Sequence, residues 1–383
     1  MTKPESDASN RARPWDLALF LLALFLGLAL IVAGAFQGRF DSLWKEGWPA
    51  RLRGGELAAQ LNHSLPYLPA FETWASYHRQ GAYLLAGSYG PQVRQGCADW
   101  LFLQEELQAA ARPAHNMRER VAMVDKVARR LKREHVQLAV LMVPDKSRVL
   151  PQVDCGLPRP ATYQGRLPDW NAALRSRGIL VADATPAMAP LAGQGVAAYW
   201  RLDSHWTQAG AAAAAQSVRQ ALLQSGALPA AELISERMAQ APRARQGDLI
   251  RLAGLENLAP YWLPAPDIET PVRFRHAATA SAAGSDDDLA AELFGDAVRP
   301  PLVLVGTSFS HAADFEGFLS ESLALPVINM ARDGGGMWEA MQAYLAPVAG
   351  ARVWPSLLIW EIPERYIQAP LSPAEADWLA GLE

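Results

Sequence analysis

The chain has 383 residues, half of them hydrophobic, which suffices for one large or two ordinary domains and excludes an intrinsically disordered protein. A formal net charge of -4 leaves no basic footprint, so nucleic acid is excluded as the expected partner. Two cysteines and seven scattered histidines form no zinc-ligand spacing, and no cofactor is implied.

Residues 1–16 read as a polar cytoplasmic tail carrying Lys3, Arg11 and Arg13. From Leu17 to Phe36 the chain runs twenty positions without a charge, the length of one helix across a bilayer. A buried soluble helix of that length would show a polar stripe. Ala33-Gly34-Ala35 resembles a signal-peptide cleavage site, but the apolar run exceeds the usual signal-peptide core, so an uncleaved anchor is expected. Because Arg39, Lys45, Arg51 and Arg53 follow the span, positive charge alone does not orient it. Residues 37–95, with Trp44, Trp48, Trp74 and a short helical stretch at 57–63, are expected to be a juxtamembrane segment packing onto the main domain.

Regular alternation begins at 96. Val121, Val124, Val127 and Leu131 recur at helical spacing among charged residues and predict a helix over 117–134. A continuous apolar run predicts a strand over 136–143, buried on both faces and stopped by Pro144. Further helices are expected at 168–177 and 208–224, strands at 179–182, 302–305, 326–330 and 357–362, and helical segments within 312–323 and 337–348. This order predicts an α/β domain over 96–383, a parallel sheet flanked by helices. Residues 225–299 break the rhythm with Ala, Pro and the acidic run Asp286, Asp287, Asp288, and read as an insertion carrying a solvated loop.

Within that frame, Asp203 and His205 lie two residues apart just before an alanine-rich helix. An Asp-x-His step can set a carboxylate against one imidazole nitrogen and leave the other for a nucleophile. Ser308 follows an apolar strand through Gly306 and Thr307, at the carboxyl end of a strand, where turn N–H groups can stabilise an oxyanion. Thr307 and Ser310 compete with it, Ser310 being the better simple helix cap. His311, with Asp314 as its nearest orienting acid, is a rival base. Two other loops should share the rim: 144–150, with Lys146 and Arg148, and 331–336, with Arg332 and three glycines. Those cations are candidates for binding an acidic sugar. Cys97 and Cys155 fit one disulfide as well as two buried thiols.

Five stretches together resemble one family: GCADWLFLQEEL at 96–107, VPDKSRVLP at 143–151, LDSHWTQAG at 202–210, LVGTSFS at 304–310 and IWEIPERY at 359–366. They are similar to the membrane-associated or periplasmic alginate O-acetyltransferases, whose domain is SGNH-hydrolase-like. The resemblance spans roughly residues 40–370 and implies that Asp203, His205 and Ser308 are the triad, with Asp-x-His preceding the serine. It implies transfer of acetyl groups to an exported polysaccharide, within an export or synthesis complex, with a multi-span membrane O-acyltransferase as donor. The catalytic domain is then expected in the periplasm, held by one inner-membrane span. A carbohydrate acetylesterase using the same residues and a non-catalytic polysaccharide-export scaffold are the alternatives. Two departures stand out: Gly-Cys-Ala-Asp-Trp replaces a Gly-rich turn, and the separate carbohydrate-binding module of some relatives is not expected.

Overall fold

The computed structural model describes residues 69–229, 233–278, 302–347 and 353–382, together with positions 21, 22, 24, 25, 27–29 and 32, which are helical. Among the described residues no helix is long and apolar enough to cross a membrane. Most of the expected span at 17–36, the whole tail and the expected helix at 57–63 lie outside them. The chain divides into two compact units, Met1–Ser88 and Tyr89–Glu383. In the first, α1 (Pro69–Ala86) is the long described helix.

The second unit begins ahead of residue 96. Strand β1 (Val93–Gln95) pairs antiparallel with β2 (Leu101–Leu103), in register from Val93 opposite Leu103. Then follow α2 (Pro113–Arg133), β3 (Gln137–Val143), α3 (Tyr163–Arg175), β4 (Leu180–Asp183) and α4 (Gln208–Ser225). After α4 come β5 (Leu233–Ala239), β6 (Arg243–Arg245), α5 (Asp248–Leu252), β7 (Asp267–Glu269) and β8 (Val272–Ala278). The chain closes with β9 (Leu302–Val305), α6 (Phe315–Leu323), β10 (Val327–Asn329), α7 (Glu339–Leu345), β11 (Leu357–Pro363) and α8 (Pro373–Gly381).

Five strands form one parallel sheet in the order β10-β9-β11-β3-β4. Successive strand residues point to opposite faces, so a sheet covered on both sides demands uninterrupted apolar runs. Leu141, Leu304 and Ile359 face a core shared with α4 and α6. Val140, Val303 and Trp360 face another, closed by α2, α3 and α7. The predicted stripe Val121, Val124, Val127 and Leu131 is buried in that second core. Each such side chain contributes about 1.5–3 kcal/mol when fully buried.

Helix α3 begins at Tyr163, five residues ahead of the expected start at 168, and carries Pro168 inside it. The expected solvated interval is largely built. Its described part pairs β5 with β8 and β6 with β7 as antiparallel ribbons, with α5 between them. The acidic run 286–288 lies outside the described residues. Cys97 and Cys155 are joined by a disulfide with Cα atoms 5.3 Å apart.

Candidate active site

The carboxyl ends of β3, β9, β10 and β11 converge on one edge of the sheet, where open α/β folds place their ligands. The loop that carries Asp203 and His205 reaches this edge from the start of α4. It is pinned by a bridge between Tyr199 and Trp206 and by Thr207, whose side chain accepts from the Gly210 N–H at 3.2 Å and donates to the Ala197 carbonyl at 2.6 Å. The Tyr199 hydroxyl donates to the Pro144 carbonyl, tying the loop to the end of β3. Phe309 is the aromatic floor, with Trp206 and His205 both 5.0 Å from its ring.

Ser308 owes its position to a buried acid. Glu361 of β11 is fully buried and accepts from the Thr307 N–H at 2.7 Å, the Thr307 hydroxyl at 2.9 Å and the Ser310 hydroxyl at 3.2 Å. Burial raises its pKa, and those donors from Thr307 and Ser310 oppose the rise. Gly306 lets the two strands approach: a Cβ there would lie 2.5 Å from a Glu361 carboxylate oxygen. Thr307 and Ser310, the rival hydroxyls, are thus committed to holding the turn. Ser308 is left facing outward, and among the described residues its N–H has no hydrogen-bond partner.

A continuous chain of hydrogen bonds results. Asp203 Oδ1 lies 2.7 Å from His205 Nδ1, and His205 Nε2 lies 2.7 Å from Ser308 Oγ. The same Asp203 oxygen accepts from the His205 N–H at 2.9 Å, while its other oxygen accepts from Arg245 Nη2 at 2.7 Å and the Asp248 N–H at 3.2 Å. Burial alone would raise the Asp203 pKa, but the hydrogen bond and charge of His205 and the charge of Arg245 pull it well below the usual carboxylate range. Such an array can deprotonate a serine hydroxyl and return the proton to a leaving group. The rival base is diverted: His311 pairs with Asp333 at 2.8 Å rather than with Asp314.

The family model for the SGNH hydrolase-like domain of acetyltransferase AlgX matches residues 93–364. The chain belongs to this AlgX-type acetyltransferase family. Its relatives include the probable alginate O-acetylase AlgJ of Pseudomonas aeruginosa, 31% identical over 359 residues that cover 92% of this chain and 84% of that protein. The protein of the same description from Azotobacter vinelandii is 32% identical over 380 residues, covering 92% and 93%. The solved O-acetyltransferase domain of Pseudomonas putida AlgJ superposes with a TM-score of 0.64 at 27% identity, covering 76% of this chain and 98% of that one.

In this AlgX-type domain, two of the three cations expected to bind substrate serve the scaffold instead. Lys146 is buried, and its ammonium donates to the carbonyls of Leu101, Arg201 and Asp203 at 2.6, 3.0 and 3.0 Å. Burial lowers its pKa to about 8 against the pull of Glu106 and Asp203. With three donors spent on three carbonyls, it has none for a sugar. Arg148 gives its guanidinium to Glu364 and to the Tyr163 carbonyl. Arg332 is exposed, its N–H held by the Gly306 carbonyl at 3.1 Å; the neighbouring Asp333, not Arg332, lines the clefts beside Ser308.

Two clefts meet at the array. The larger, about 550 Å³, holds Ser308 and His205 together with Asp248, Gly334 and Arg365. The other, about 310 Å³, reaches the same two residues from the side of Arg243, Arg245 and His311. Two site residues carried no sequence signal, Arg245 and Asp248, and Arg365 was present only inside the stretch IWEIPERY, with no role given to it. Asp248 lies 3.6 Å from His205 Nδ1 and accepts from the Ser204 N–H and hydroxyl at 2.7 and 2.6 Å. Burial first, and then the charge of Asp203, raise its pKa. Asp203, His205 and Asp248 have ligand atoms within 4.8 Å of one another, as a cation site would require. The Arg245 guanidinium already neutralises Asp203 there.

Proposed function

We propose that this protein is an O-acetyltransferase that moves acetyl groups, through an acetyl-serine, onto sugar hydroxyls of an exported polysaccharide such as alginate. The observation that carries this reading is the unbroken Asp203–His205–Ser308 hydrogen-bond chain, open to a cleft at the carboxyl edge of the sheet. In the first half-reaction, His205 Nε2 takes the Ser308 proton as Oγ attacks the acetyl carbonyl. The Ser308 N–H, which has no hydrogen-bond partner among the described residues, is available to the developing oxyanion. Collapse expels the donor's leaving group, which takes the proton back from His205. In the second half, a sugar hydroxyl gives its proton to His205 and attacks the acetyl carbon, and Ser308 Oγ leaves with that proton. Transfer outruns hydrolysis only where the sugar is held in place, and the clefts on both sides of Ser308 offer room for donor and acceptor.

The apolar run 17–36 supports a single inner-membrane anchor, and the Cys97–Cys155 bond, which suits an oxidising compartment, supports a periplasmic domain. The immediate donor is then expected to be a multi-span membrane O-acyltransferase within a polysaccharide export or synthesis complex. The test incubates the protein with a chromogenic acetyl ester and an oligosaccharide acceptor. Acetylated oligosaccharide is the expected product; acetate alone would assign an esterase, and no turnover a scaffold. Ser308→Ala is expected to abolish turnover, and wild-type activity in that variant would remove the mechanism.

A further inference from the structure

The segment that follows β6 is laid against the loop carrying Asp203 and His205. Leu202 donates its N–H to Asp267 Oδ2 at 3.1 Å, and its carbonyl accepts from the Leu249 N–H at 3.2 Å. Two side chains of opposite charge arrive by this route. Arg245, at the end of β6, gives Nη2 to Asp203 Oδ2 at 2.7 Å. Asp248, at the start of α5, sets a carboxylate oxygen 3.6 Å from His205 Nδ1, the nitrogen that Asp203 Oδ1 already holds at 2.7 Å.

Two carboxylates therefore stand behind one imidazole, within 4.8 Å of it and of each other. Like charges at that range repel, and the burial of Asp203 leaves little water to screen them. The repulsion is felt at Asp248, whose pKa is raised by burial first and by the charge of Asp203 next. Arg245 is the cation that meets it. Glu269 lies 3.8 Å from Arg245 Nη1 but is served by Arg243 at 2.9 and 3.0 Å, which leaves the Arg245 guanidinium for Asp203. Lys146 spends its ammonium on three carbonyls, that of Asp203 among them, and pairs with neither carboxylate.

We propose that Arg245 is a positioning residue for the reaction: its charge lets Asp203 and Asp248 share one side of His205, and so keeps the Asp203 carboxylate in register with the imidazole. The serine, histidine and aspartate then work with a fourth member that the insertion after α4 supplies. This role rests on the reading of Ser308 as the nucleophile and His205 as its base. Asp248 is the natural probe, because an asparagine in its place keeps an acceptor for the Ser204 N–H, bonded at 2.7 Å, while removing the second negative charge.

The test is a cycle of variants, with turnover of a chromogenic acetyl ester expressed per folded molecule. Arg245→Gln is expected to lower kcat by about a hundredfold with little change in KM, because the acid behind the base is displaced. Arg245→Lys, which keeps the charge, should recover about tenfold of that loss. The deciding arm combines Arg245→Gln with Asp248→Asn. One negative charge fewer then needs neutralising, so the double variant should turn over about tenfold faster than Arg245→Gln alone. A merely structural arginine gives the reverse, two losses that add. An unchanged kcat in Arg245→Gln, or a double variant no faster than that single one, overturns the proposal. Should Arg245→Gln fail to fold, the double variant is expected to fold, and failure of both would overturn it as well. The low-field proton resonance of the Asp203–His205 hydrogen bond gives a reading independent of turnover. It should be present in the parent protein, lost in Arg245→Gln and regained in the double variant; its persistence in Arg245→Gln would again overturn the proposal. Ester turnover retained in Ser308→Ala would remove the acetyl-serine reading, while that resonance would still decide whether Arg245 holds Asp203 on His205.

Discussion

Asp203 keeps its charge where burial works against it, because His205 and Arg245 supply a hydrogen bond and positive charge in place of water. Its folded pKa is depressed below the unfolded value of 3.8, so its contribution to stability is present above about pH 4 and is lost as pH falls through the lower folded value. Asp203→Asn should therefore cost on the order of 2 kcal/mol at pH 6 and progressively less below pH 4, as read from urea midpoints across that range. Turnover of an acetyl ester by the same variant should fall by roughly 10³-fold or more, because the amide no longer fixes the imidazole tautomer. The Asp203–His205 step was legible in the sequence because its two-residue offset falls just before a predicted helix, and Ser308 because it follows the end of a predicted apolar strand. Arg245 and Asp248 were not, since their approach depends on Gly247. A Cβ there would lie 2.1 Å from the Leu202 carbonyl oxygen, a long-range contact that leaves no periodic trace. Lys146 and Arg148 misled for the complementary reason: a loop cation at a strand end looks the same whether it meets substrate or three buried carbonyls.

The turn after β9 is bonded to its neighbouring strand as well as to itself. Glu361 takes three donors from Thr307 and Ser310, and Gly306 provides the clearance. Gly306→Ala should force Glu361 and the serine turn apart, lowering stability by about 1–3 kcal/mol by chemical denaturation. Turnover is expected to drop at least about tenfold further than the folded fraction explains, because reacting atoms tolerate little misplacement. Central strands such as β3 and β11 were readable because burial on both faces imposes unbroken apolar runs. Ribbon strands gave no such signal. All of β5 is partly or fully exposed, and the consecutive polar residues Ser235, Glu236 and Arg237 interrupt its apolar ones, so local composition suggested a loop.

Across the whole second unit, the Cys97–Cys155 bond closes a separation of 58 residues that contains β2, α2 and β3. Replacing both cysteines by serine should lower the unfolding free energy by roughly 2–5 kcal/mol, measured as a shift in urea midpoint that reductant reproduces in the parent protein. Cysteine spacing alone could not distinguish a bridge from two thiols, because pairing depends on how the β1–β2 ribbon meets the segment beyond β3. The α/β architecture, in contrast, followed from the alternation of elements, which needs no such long-range knowledge. The bond also lies close to the three-carbonyl seat of Lys146, which joins Leu101 near one cysteine to the backbone of Arg201 and Asp203. Reducing the bond is therefore expected to loosen the Lys146 seat and, through the Asp203 backbone, the carboxylate behind His205, so acetyl-ester turnover should fall together with the urea midpoint when reductant is added.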